Sequence, residues 1–174
     1  LAVTDHAEYL GLAEEIQTGS PELLANPTGK RWYEASKKSP QAGVEAAIEA
    51  VVTIKNGVPA IKSEQLTKAA WERATAAAEQ FNQPGVFTAL HGFEWTSAPG
   101  AKNLHRTVIF RDNADRVNQV VPFSAFDSPD PAELWKYMDG YTKATGGQVL
   151  AIPHNGNLSN GIMYTAETFD GKPM

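Results

Sequence analysis

At Gln83-Pro84-Gly85 the hydrophobic pattern of the chain changes period. Residues 8–83 carry apolar side chains at helical spacing. Beyond the turn, short apolar runs of strand length are separated by loops and one further helical block. This alternation of strands and helical blocks favours an α/β fold with a largely parallel sheet. In such folds the chemistry sits at the carboxyl ends of strands.

Within the helical half, Ser20-Pro21-Glu22 and Ser39-Pro40 each put a cap residue before a proline at the first helical position. Val44, Ala47, Ile48, Val51 and Val52 form an i, i+3, i+4, i+7, i+8 stripe, and Asn56-Gly57 and Pro59 end it. Ser63 to Asn82 is the longest expected helix, roughly 30 Å if fully formed. Its expected buried face is Leu66, Ala70, Ala74, Ala77 and Phe81. Strands are expected at Val86 to Trp95, Leu104 to Phe110 and Gln148 to Pro153, as neighbours in one mostly parallel sheet with both long helices packed on it. Residues 111–130 show little periodicity. Asp130-Pro131-Ala132-Glu133 resembles a capping box opening a helix whose apolar face is Leu134, Tyr137, Met138 and Tyr141. No internal repeat or linker divides the 174 residues, which suffice for one domain with a core.

Composition excludes several classes. With 42% hydrophobic and 20% charged residues the chain is neither disordered nor of low complexity. Its net charge is −5, and Lys37-Lys38 is only a pair, so nucleic-acid binding through a basic surface is not expected. No apolar run approaches the roughly 20 residues that span a bilayer. Cysteine is absent, which leaves His and carboxylates as the ligands for any transition metal.

The four histidines are His6, His91, His105 and His154. Catalytic zinc sites commonly use three His or Glu ligands and keep one position open for water. His6, Glu94 and His154 each fall at or just past an expected strand end. Glu94 lies within the apolar run Gly92-Phe93-Glu94-Trp95, and a buried carboxylate needs a cation beside it. Spacing alone leaves other readings open. Glu94 would be equally served by Arg106 or a backbone donor. His6 would suit an ordinary loop, His105 a sheet edge and His154 a turn. His91 shares its strand face with Phe87, Ala89, Phe93 and Trp95, opposite Glu94, which makes it a structural histidine facing the helices.

These residues also carry a resemblance. Thr4-Asp5-His6 resembles the T-D-H motif of the PHP (polymerase and histidinol phosphatase) superfamily, and Gly92-Phe93-Glu94 its G-x-E strand end. Leu104-His105 resembles its next histidine, and Ala151-Ile152-Pro153-His154 its strand-end histidine. In that superfamily a proline usually follows the last histidine, whereas here it precedes it. A closer likeness covers nearly the whole chain. Ala2 to Gly11, Phe93 to Ser97, Asn103 to Arg106 and Pro153 to Ser159 look like an uncharacterised PHP-like branch catalogued only as a domain of unknown function.

The resemblance implies part of a distorted (β/α)7 barrel holding two or three divalent ions, with zinc, manganese or iron all suited to the ligands. Glu94 would bridge two ions, His105 and His154 would complete one of them, and His6 would serve a third. Asp5 would orient His6. Arg106, Asn155 and Asn157 would contact a small anionic substrate. The superfamily's H-x-H pair and late Asp-x-His are expected upstream of Leu1 and beyond Met174, so the chain reads as an internal fragment, inactive alone, of a larger enzyme. The implied activity is metal-dependent hydrolysis, foremost of a phosphoester, with metal-bound hydroxide as nucleophile. The alternative is a non-catalytic metal- or ligand-binding module on a decayed barrel. Neither compartment nor oligomeric state follows from the residues; an extracytoplasmic location suits the branch.

Overall fold

A computed structural model describes residues 1–173. The helical half holds five helices: α1 (Leu12–Thr18), α2 (Pro21–Ala25), α3 (Pro27–Lys38), α4 (Pro40–Asn56) and α5 (Glu64–Phe81). Their starts follow from side-chain caps. Ser20, Asn26, Ser39 and Ser63 each accept a backbone N–H of the first turn, and proline opens α2, α3 and α4. α4 ends at Gly57, whose φ of 68° suits a residue without Cβ. The second half holds β1 (His91–Trp95), β2 (Arg106–Phe110), α6 (Ala114–Val117), α7 (Pro131–Thr145) and β3 (Val149–Pro153).

The sheet is not the parallel one expected, and the (β/α)7 barrel reading is overturned. Its three strands lie in the order β1-β2-β3, and both pairings are antiparallel. The ten-residue connection from β1 to β2 contains no helix long enough for a crossover, so β2 returns beside β1. The parallel contacts belong to the first six residues, which run along the free edge of β1 through bridges Ala2–Leu90 and His6–Glu94.

β1 is also shorter than the apolar run that announced it. Gln83 and Phe87 exchange backbone hydrogen bonds of 2.8 Å in both directions, so residues 83–87 close into a tight turn and Val86 is left exposed.

One sheet face is covered. Phe93, Trp95, Val108 and Phe110 are wholly buried there, beneath α5 and α7. Trp71 of α5 meets Phe93 and Phe110 with ring centroids 6.1 Å apart, and Tyr141 of α7 meets Phe110 at 4.9 Å. Trp71 explains why α5 is turned from its expected orientation. The larger ring takes the core position with Ala70 and Thr75, while Ala74, Ala77 and Phe81 are exposed.

α4 departs further. It packs on α3, and Val44, Ile48, Val51 and Val52 all face solvent. Glu49 on the opposite side accepts from Arg31 twice at 2.6 Å and from the Trp32 indole at 3.0 Å. That polar anchor, with Ala46 and Ala50 against buried Trp32, turns the valine stripe outward. The second sheet face, bearing Ile109, Leu150 and Ile152, is open, with Leu150 and Ile152 about half exposed.

Candidate metal centre

The antiparallel sheet still gathers the residues singled out above. The amino end of β2 lies beside the carboxyl ends of β1 and β3. Arg106 pairs with Trp95 and Pro153, so one step outward His105 stands opposite His154, and the His154 N–H donates to the His105 carbonyl at 3.2 Å. Glu94 is opposite Thr107, diagonal to His105 on the same face. The parallel bridge to Glu94 brings His6 alongside.

Glu94, His105 and His154 each offer a ligand atom, and these atoms lie within 4.8 Å of one another. The His105 and His154 rings are 6.1 Å apart, and the His6 and His105 rings 6.2 Å. The two oxygens of Glu94 point to different histidines. Oε1 is 2.9 Å from His105 Nδ1, and Oε2 is 3.6 Å from His6 Nδ1. Despite that short distance, Oε1 is off the line of a hydrogen bond. It is buried without a hydrogen-bond partner among the described residues. Burial pushes the Glu94 carboxyl up, but the neighbouring His105 nitrogen and the charges on His6, His105 and His154 outweigh it and hold the group below its ordinary value. The carboxylate therefore stays ionised, as a metal ligand must be.

Three supporting residues went unrecognised in the sequence. Thr96 Oγ1 lies 2.6 Å from His6 Nδ1 and donates to the Glu94 carbonyl at 3.4 Å. It thus ties the His6 ring to the carboxyl end of β1. Glu8 is buried, and its Oε1 accepts the N–H groups of Thr96 and Ala125, at 3.3 and 2.5 Å, tying the loop after β1 to the loop before α7. Ser97 is wholly buried and donates to the Pro129 carbonyl at 2.7 Å. Only their nearness to Glu94 in sequence, or to His6 for Glu8, offered a signal.

Other expected site residues are placed away from the cluster. Asp5 gives its carbonyl to the Glu94 N–H, but its carboxylate makes no hydrogen bond to His6; alternation along the extended segment turns the two side chains apart. Arg106 shares the covered face with Trp95, and its guanidinium donates to the His105 carbonyl and to the Met163 carbonyl and sulfur. Burial lowers its pKa, against the opposing charge of Tyr164. It anchors the turn of helix at Ile162–Tyr164 and does not reach the open face. Asn155 contacts His154 Nδ1 at 2.5 Å, and its Oδ1 accepts the Asn157 N–H at 3.2 Å. His91 lies on the covered face, 5% exposed, with Nε2 3.1 Å from Glu79 of α5.

Fold and site define an α+β domain, not the α/β one expected, with a His/Glu cluster at one end of a small antiparallel sheet. Comparison with known families then places it: the family described as "Protein of unknown function (DUF3604)" matches residues 1–174, and the chain belongs to it. No curated protein and no solved structure matches the chain. Among the described residues no helix is long and apolar enough to cross a membrane.

Proposed function

We propose that this chain carries part of the divalent-metal site of a PHP-like hydrolase, with Glu94, His105 and His154 as ligands and His6 beside them. The supporting observation is the orphaned Glu94 Oε1: a buried, ionised oxygen 2.9 Å from an imidazole nitrogen that does not hydrogen-bond to it. An unsatisfied buried carboxylate is costly, and a cation between those atoms removes the cost. Two imidazoles and one carboxylate match a common zinc set that leaves a position for water. Manganese and iron suit the same donors. A bound divalent ion would supply Lewis acidity and lower the pKa of a coordinated water from ~15.7 towards ~7. The substrate class we favour is a small phosphoester.

The chain's own residues would contribute the following. Glu94, shared between His105 and His6, holds the negative charge that recruits ions. Thr96 holds the His6 ring beside the cluster. The open sheet face leaves one side of the cluster accessible to substrate. A second reading, a metal-binding module without catalysis, is favoured by the position of Arg106, which leaves the cluster without that cation to receive an anion.

Elemental analysis after dialysis against zinc, manganese or iron, with hydrolysis of p-nitrophenyl phosphate and its bis ester, separates the readings. The chain should retain close to one zinc per molecule, and Glu94→Gln should retain far less while keeping its circular dichroism spectrum. Full zinc retention by that variant would remove Glu94 from the site. Zinc binding without hydrolysis of either ester would favour the second reading.

A further inference from the structure

α4 is fastened to the rest of the chain along one side. Ala46 and Ala50 pack towards Trp32, Glu49 accepts from Arg31 and Trp32, and Thr53 Oγ1 lies 2.6 Å from the Tyr9 hydroxyl. These contacts fix the rotation of the helix, so its free side is as definite as its packed one. That free side carries Gln41, Val44, Ile48, Val51 and Lys55, all exposed. They follow one another at steps of three, four, three and four residues, the a/d spacing of a coiled-coil seam. Val52 and Glu45 share the flanking position beside the seam, seven residues apart. Neither Glu45 nor Lys55 has an ion-pair partner among the described residues.

We propose that this face of α4 is a homodimer interface, in which two copies of the chain pair antiparallel about a two-fold axis. The seam is complementary to itself in that direction. Setting Ile48 against Val51 of the second copy makes Val51 meet Ile48 in return, as a two-fold requires. The same register lays the Lys55 stem across Val44 of the second copy and brings its ammonium beside Glu45, once at each end of the contact. A parallel pairing would set the two Lys55 ammonium groups side by side instead. Val44, Ile48, Val51 and Val52 are between 47% and 58% exposed. That amounts to roughly 300 Å² of apolar surface per copy, the size of a functional patch. With its rim the contact would bury on the order of 1,000 Å² in total, the low end for a specific interface. The dimer is therefore one that forms and dissociates with concentration.

Sedimentation equilibrium of the 174-residue chain from about 1 to about 200 µM tests the pairing. The mass should rise from 18.8 kDa towards twice that value. Ile48→Glu changes an exposed position, so it should keep the circular dichroism spectrum and stay monomeric throughout. Glu45→Lys and Lys55→Glu should each weaken the dimer about tenfold, because each sets like charges together at both ends. The two residues are ten positions apart on one helix, so their coupling is read only between copies. The double variant Glu45→Lys/Lys55→Glu should regain the wild-type constant, and an equimolar mixture of the two single variants should associate more tightly than either alone. A wild-type chain that stays monomeric up to the highest concentration would overturn the proposal. So would a dimer that survives in Ile48→Glu, which would place the contact on another surface such as the open sheet face. A double variant no tighter than the single ones would refute the antiparallel register.

Discussion

Gly92→Ala tests how the strand that carries Glu94 is held. A Cβ at Gly92 would stand 2.6 Å from the Val108 carbonyl oxygen of β2 and 2.8 Å from Thr4 Cγ2 of the amino-terminal segment, where ordinary contact begins at 3.4 Å. One methyl thus wedges β1 from both neighbours at once. The β2 backbone must give by about 0.8 Å, the shortfall of the Val108 contact from that ordinary separation, and a backbone in a paired strand yields less readily than a side-chain tip. Overpacking of this kind costs about 1–3 kcal/mol. For a chain of this size that lowers Tm by about 2–12 °C. Thermal melting followed by near-ultraviolet circular dichroism reads the change through Trp71, Phe93 and Trp95, which lie in the adjoining core. Thr4→Ser removes the methyl that closes one side of the wedge, so Gly92→Ala/Thr4→Ser should recover part of the loss in a double-mutant cycle. A Gly92→Ala protein melting within about 1 °C of wild type would refute the close-approach argument. So would a double variant with no recovery. If the argument holds, the glycine of Gly92-Phe93-Glu94 is required by the approach of two backbones, independently of any chemistry at Glu94.

Further outcomes are expected. His91→Gln should cost about 1 kcal/mol, the scale of one hydrogen bond, and leave zinc content unchanged, because His91 faces Glu79 on the covered side; loss of zinc in a folded variant would contradict that placement. Hydrogen bonds from Arg31 and Trp32 lower the Glu49 carboxyl to about 2. A depressed carboxylate contributes stability that is full above its unfolded value and is lost as pH falls through the folded one, so α3–α4 pairing should weaken between about pH 4.5 and 2. The pair is largely exposed, so the effect is at most about 1 kcal/mol. Glu49→Gln should flatten that acid limb in urea titrations at fixed pH, and an unchanged limb would show the pair to be inert.

The elements of this protein were legible in its sequence because their causes are local. Ser20, Ser39 and Ser63 cap helices where a serine precedes a helical run, and Gly57 and Gly146 end them with positive φ. The order Thr4-Asp5-His6, Glu94, His105, His154 marked residues that end up at strand ends, since a strand's end is read from where its apolar run stops. Which way the strands run was decided elsewhere. Strand direction depends on the connection between β1 and β2, and that connection carries no crossover helix. The reversal left the cluster intact because turning β2 around exchanges its ends and brings His105 to the same edge. Packing choices were likewise not local. Trp71 displaced the alanine face of α5 by its contacts with Phe93 and Phe110. The Arg31–Glu49–Trp32 anchor turned the valine stripe of α4 to solvent. A one-step parity along β2 sent Arg106 to the core side and His105 to the open side. Residue types and caps act over a few positions, and they account for the helices, the strands and the candidate ligands. Sheet direction, the buried side of each helix and the partners of each polar group depend on contacts between distant segments, which no local pattern encodes.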